Sequence, residues 1–139
     1  MATIERHVTK QVVAQDAITP CREAAKVMRD KKIGAIAVRE GGRIVGIVTE
    51  RDLVARVMAS GDSGAMPIGE AMRTDLPKVA LNASELETTE LMRTQYTRHL
   101  LVEDCGSVVG IISMRDVIQL MLDDKQFLIE QLQTYIDGR

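Results

Sequence analysis

The chain has 139 residues, 45% of them hydrophobic and 27% charged, with a formal net charge of −2. That near-neutral balance gives no bulk electrostatic attraction to nucleic acid or an anionic membrane, and no apolar run approaches the ~20 residues of a membrane span. With no Trp, one Phe and two Tyr against eight Met, the core is aliphatic, and the chain lacks the rings that a single-strand nucleic-acid platform uses for stacking.

"MATIERHVTK" has no signal-peptide apolar core, so the chain reads as cytoplasmic. "QVVA" reads as a short strand. "TPCREAAKVMRDK" reads as a helix capped by Thr19, with Pro20 in its first turn and Glu23 at its positive end. "GAIAV" is a buried strand, "EGG" a turn, "RIVGIVT" a second strand and "ERDLVARVMAS" a helix. "SGDSGAMP", residues 60–67, has a loop composition. The series then recurs as "KVAL", "ASELETTELMRTQ", "HLLV", "EDCG", "SVVGIIS" and "MRDVIQLML". Asp123 and Gln126 predict a capping box for a fresh helix, in which Leu128, Leu132, Tyr135 and Ile136 share a face.

The recurrence is an internal repeat. At an offset of 64 residues Met28 to Met58 superposes without a gap: Val38 meets Val102, Gly42 meets Gly106, and Arg51-Asp52 meets Arg115-Asp116. Upstream, the match calls for a shift of about two residues, which sets Val13 near Val79. The expected organisation is repeat 1 over 4–60, repeat 2 over 67–122 and a C-terminal helix over 123–139.

Each repeat ends a strand with Gly-h-h-[Thr/Ser] and opens a helix with x-x-Asp: "GIVTERD" and "GIISMRD". One such segment is what any helix start wants, a hydroxyl for a free N–H and a carboxylate at the positive dipole end. Its duplication in the same context also suits a nucleotide. Backbone N–H groups favour phosphate, the carboxylate suits paired ribose hydroxyls, and glycine permits close backbone approach.

These marks, with the "IGAIAV" and "RHLLV" strands, resemble the cystathionine-β-synthase (CBS) domain family over about Ile4 to Leu122. The resemblance implies an α/β (α+β) fold of tandem β-α-β-β-α repeats in a pseudo-twofold Bateman module. It implies two clefts for adenosine-containing ligands: AMP, ADP, ATP, NAD or S-adenosylmethionine. It assigns Thr49 and Asp52 to one cleft and Ser113 and Asp116 to the other, Asp to the ribose hydroxyls and Thr or Ser near ribose or phosphate. Val13 and Val79 mark the strands that offer backbone contacts to adenine, and Arg98 and His99 match a basic pair that reaches phosphate. The counterparts of that pair are Gly34 and Ala35, so the clefts are expected to be unequal. Ala37 and Leu101 stand where the family often has proline.

Neither His7 nor His99 sits in a catalytic or metal-ligating set, and there is no Walker A or Rossmann fingerprint. Cys21 and Cys105 are isolated and read as reduced thiols. The expectation is a non-enzymatic regulatory module without a catalytic cofactor, acting on an unnamed regulated protein. The alternative is a structural dimerisation module with empty clefts. The apolar "LVARVM", "VIQLML" and tail segments predict a homodimer.

Overall fold

The structure, a computed structural model, describes residues 3–138. The chain divides into two compact units. One spans Gln11–Leu76; the other joins the N-terminal residues up to Lys10 to the chain from Pro77 onward.

The first unit contains β1 (Ala14–Asp16), α1 (Cys21–Lys31), β2 (Ala35–Glu40), β3 (Arg43–Thr49), a short α2 (Glu50–Asp52) running into a π-helical segment (Leu53–Met58), and α3 (Ile68–Ala71). Its sheet order is β1-β2-β3, with β1 parallel and β3 antiparallel to β2. The second unit has a 3₁₀ turn (Ile4–His7), β4 (Lys78–Ala80), α4 (Glu85–Thr94), β5 (His99–Asp104), β6 (Ser107–Ser113) and α5 (Met114–Asp137). Its sheet, β4-β5-β6, repeats the first in direction. The mixed α/β architecture of two repeats is the one the sequence predicts.

The central strands are buried over Ala35–Val38 in β2 and Leu100–Val102 in β5, as strands covered on both faces are. Each hairpin closes with two residues, Gly41-Gly42 and Cys105-Gly106, all at positive φ, as a type I′ turn requires. Cys105 adopts this conformation without being glycine. Each hairpin also carries a bulge at the same place: Val38 pairs with Gly46 while Arg39 pairs with Ile44, and Val102 pairs with Gly110 while Glu103 pairs with Val108.

Several sequence-based boundaries are corrected. The first strand is Ala14–Asp16, not "QVVA". No shift is needed upstream: Ala14 pairs with Ala37 and Lys78 with Leu101, so the 64-residue offset holds there too. Val79 therefore corresponds to Gln15, and Val13 to Pro77. The repeat extends further back still, since Ile4 and Ile68 are both fully buried at that offset. Pro20, not Thr19, occupies the cap position of α1. No new helix starts at Asp123, because α5 runs unbroken from Met114 to Asp137. Instead of capping, Asp123 accepts from Gln119 Nε2 (2.9 Å) and pairs with His7 Nε2 (3.0 Å).

The helix after β3 also differs from its counterpart. Ala59 N–H bonds the Val54 carbonyl, five residues back (2.9 Å), which marks π geometry with its one extra residue per turn. Arg56 stands where the second repeat buries Leu120, and it turns out to bond the Met72 carbonyl (3.1 Å). The extra residue brings Val57 into the buried place instead.

Candidate functional site

Two positions share one geometry. Thr49 closes β3 in extended conformation and Asp52 is the third residue of the following helix; Ser113 and Asp116 stand likewise after β6. Each pair forms a capping box. Thr49 N–H and Oγ1–H donate to Asp52 Oδ2 (2.9 and 3.0 Å), and Asp52 N–H donates to Thr49 Oγ1 (3.3 Å). Ser113 N–H and Oγ–H donate to Asp116 Oδ2 (2.8 and 2.9 Å), and Asp116 N–H donates to Ser113 Oγ (3.1 Å). The local reading of the motif as a helix cap is thus realised twice.

Both carboxylate bonds in each box fall on Oδ2. Oδ1 of Asp52 and of Asp116 has no hydrogen-bond partner among the described residues, yet neither atom is sealed from solvent. Asp52 is 8% exposed and Asp116 half-buried. Each box therefore holds a carboxylate rigidly, with one acceptor oxygen unused.

The preceding loop closes the same corner. Glu50 N–H donates to Gly34 O (3.0 Å) and Met114 N–H to Arg98 O (2.8 Å), so Gly34 and Arg98 adjoin the two helix starts. Ala35 lies directly across from Thr49, and His99 from Ser113. Cross-strand partners share a sheet face at Cβ separations of about 5 Å. The second corner accordingly carries an exposed guanidinium and an imidazole where the first carries Gly34 and Ala35. Arg51 and Arg115 are exposed on the first helical turns.

Val13 and Val79 do not form an equivalent pair. Val13 precedes β1, gives its carbonyl to Ala37 N–H (3.0 Å) and packs on the first unit's core. Val79 is buried in the second unit's core. Between them in register lies Gln15, whose Oε1 is buried with no hydrogen-bond partner among the described residues. Its only sequence signal was the ungapped offset, which sets a glutamine against Val79.

The motif glycines have a role that sequence reading missed. A Cβ on Gly46 would lie 2.5 Å from Met72 Sδ and 2.6 Å from the Arg73 carbonyl; one on Gly110 would overlap Val8 Cγ1 and sit 2.7 Å from the Thr9 carbonyl. Arg73 and Thr9 each exchange a pair of backbone hydrogen bonds with Ile47 and Ile111, at 2.8–3.3 Å. Close approach does occur at these glycines, and it is made by the chain itself.

A cavity of about 440 Å³ in the second unit lies elsewhere, at the hairpin end of β5 and β6, lined by Glu5, Asn82, Glu103, Asp104 and Cys105 among others. Its three carboxylates make it a poor host for phosphate. No group of three or more His, Cys, Asp and Glu suited to a metal ion occurs among the described residues, and no described helix is long and apolar enough to cross a membrane.

The family model for the CBS domain matches the chain twice, at residues 6–59 and 68–123. The chain is 32% identical over 117 residues to the CBS domain-containing protein YhcV of Bacillus subtilis, covering 84% of each. It superposes on a CBS-domain containing protein from Agrobacterium tumefaciens with a TM-score of 0.80 at 30% identity, covering 86% of this chain and 99% of that one. A hexameric CBS-CP12 protein from bloom-forming cyanobacteria gives a TM-score of 0.76 at 26% identity, with 84% and 70% covered.

Proposed function

This chain belongs to the CBS domain family, and from that premise we propose that it is a regulatory module that binds an adenosine-containing ligand and signals to a partner protein. CBS domain pairs are in general regulatory or ligand-binding modules. The observation that carries the ligand reading is the duplicated capping box, which presents a fixed, half-used carboxylate at a helix N-terminus at the corner of each sheet.

In this reading Oδ1 of Asp52 and of Asp116 accepts from ribose hydroxyls. Thr49 and Ser113 orient the carboxylates and lie near ribose or phosphate. Val13 and Val79 mark the strand segments whose backbone meets adenine. Arg98 and His99 serve phosphate at the second corner alone, so the more phosphorylated ligand prefers that corner; guanidinium groups suit phosphate oxygens in charge and geometry. AMP, ADP, ATP, NAD and S-adenosylmethionine all carry the adenosine part. The ligand is an effector, not a catalytic cofactor, and it acts by binding two states of the module, or of its complex, with different affinity. A homodimer in the cytoplasm, without nucleic-acid or membrane partners, completes the proposal.

One observation favours a second reading, a dimerisation module with unoccupied sites: large apolar side chains, including Val54, Met58 and much of α5, are exposed. The deciding experiment is release of small molecules from freshly purified protein by heat, identified by mass spectrometry, followed by calorimetric titration with the five candidates. An adenosine compound released or bound supports the sensor. Five flat titrations with nothing released support the structural module.

A further inference from the structure

Asp124 is the last residue of α5 that its own unit shields; every described residue beyond it is exposed. The helix reaches that point packed on α4 and on the 3₁₀ turn Ile4–His7. The start of α4 is a fixed post. Ser84 caps it by accepting from Glu87 N–H (3.1 Å), Thr3 bridges Ser84, and Ile4 N–H donates to the Ala83 carbonyl (3.0 Å). Glu85, the first helical residue, stands on that post. Its Oε2 is buried with no hydrogen-bond partner among the described residues, yet the Asp124 carboxylate lies within hydrogen-bonding reach of its side chain. Two carboxylates are both acceptors, so a bond between them exists only when one carries a proton. Without that proton, two like charges face each other where water is partly excluded. The neighbouring groups are already engaged. Asp123 accepts from Gln119 Nε2 (2.9 Å) and pairs with His7 Nε2 (3.0 Å), with Arg6 nearby, and these partners hold its pKa below the usual carboxylate range.

We propose that Glu85 and Asp124 form a proton-operated clasp at the root of the projecting helix: closed on a shared proton, it holds α5 against the start of α4, and open, it lets the segment beyond residue 124 swing away from that post. Burial, and after it the Asp124 carboxylate, raises the pKa of Glu85 above the ordinary carboxyl value. The stability of the closed form is therefore fully present below that ordinary value and is lost as pH rises through the raised one. The proton is then an effector of the second unit in its own right. The inference stands apart from the ligand reading, because neither residue belongs to a capping box.

The test uses the full chain with Cys105→Ser to remove the exposed thiol; Cys21 is buried and escapes labelling. Nitroxides on Leu86→Cys in α4 and Gln131→Cys in α5, both exposed positions, report the distance between the two helices by pulsed electron resonance. Dilution with unlabelled protein keeps each distance within one chain. The distance distribution should be narrow at pH 4 and broaden towards pH 7. Adding Glu85→Gln should keep it narrow throughout, because the amide donates to Asp124 at any pH. Adding His7→Gln should leave the broadening in place, which separates the clasp from titration of the imidazole. Equal widths at both ends of the pH range, broadening that survives in Glu85→Gln, or broadening that His7→Gln abolishes would each overturn the proposal.

Discussion

Gly46→Ala adds one methyl group where the chain has left no room for it. The new Cβ would stand 2.5 Å from Met72 Sδ and 2.6 Å from the Arg73 carbonyl oxygen. The thioether can rotate away. The carbonyl cannot move alone, because Arg73 and Ile47 hold each other through two backbone hydrogen bonds of 2.8 and 3.3 Å. Overpacking of this kind costs about 1–3 kcal/mol, and weakening the paired bonds adds about 0.5–1.5 kcal/mol each. Replacing a strand glycine returns roughly 0.5–1 kcal/mol through lower chain entropy. The net expectation is a loss of about 2–3 kcal/mol for Gly46→Ala, and a similar loss for Gly110→Ala, where Val8 and Thr9 replace Met72 and Arg73. Gly42→Ala is the control: its Cβ would meet nothing within 4 Å, and only its φ of +79° is strained, which costs about 1–2 kcal/mol. Urea unfolding followed by circular dichroism measures all three. If Gly46→Ala and Gly110→Ala unfold at the wild-type midpoint, the close chain contact is not what these glycines serve.

Three further outcomes follow from burial and charge. Gln15→Val should stabilise the first unit by about 1–3 kcal/mol, because a buried oxygen without a partner is replaced by the residue type its counterpart uses; a lower urea midpoint would show that Gln15 is satisfied after all. Ile4→Ala, fully buried at the start of the chain, should cost about 2–5 kcal/mol, and hydrogen exchange should place the loss in the second unit; faster exchange confined to residues 11–76 would contradict the grouping. Burial, with Asp124 beside it, raises the pKa of Glu85. The folded state therefore binds that proton more tightly than the unfolded chain, and the stability it contributes at low pH is lost as pH rises through the folded pKa. Glu85→Gln should remove that slope, gaining on the wild type as pH is raised from 4 to 7, and parallel melting-temperature profiles would refute it.

The order of strands and helices was legible because each repeat states it independently and the apolar runs, two-residue turns and capping residues agree. The boxes at Thr49/Asp52 and Ser113/Asp116 were legible for the same reason. Other features were hidden by side chains that differ between equivalent backbone positions. Gln15 against Val79 disguised the ungapped offset in β1 and β4. Arg56 against Leu120 gave no hint that the helix would take π turns to bury Val57. The pairing of Thr9 with Ile111 joins residues a hundred positions apart, and nothing local announces it. Asp123 and Gln126 satisfy the pattern of a capping box, but a helix already hydrogen-bonded through Asp123 has no free N–H there to cap.

The central claim is that the unused carboxylate oxygens of the two boxes hold ribose. Asp52→Asn with Asp116→Asn tests it most directly. The amide keeps one oxygen for the box and sets an NH₂ donor where the ribose hydroxyls need an acceptor. Calorimetric titration of the folded double variant with the ligand that wild type binds should show affinity weakened by about 1.5–3 kcal/mol per occupied site, the range for hydrogen bonds to a charged group. Unchanged affinity in a variant that still folds would contradict the claim.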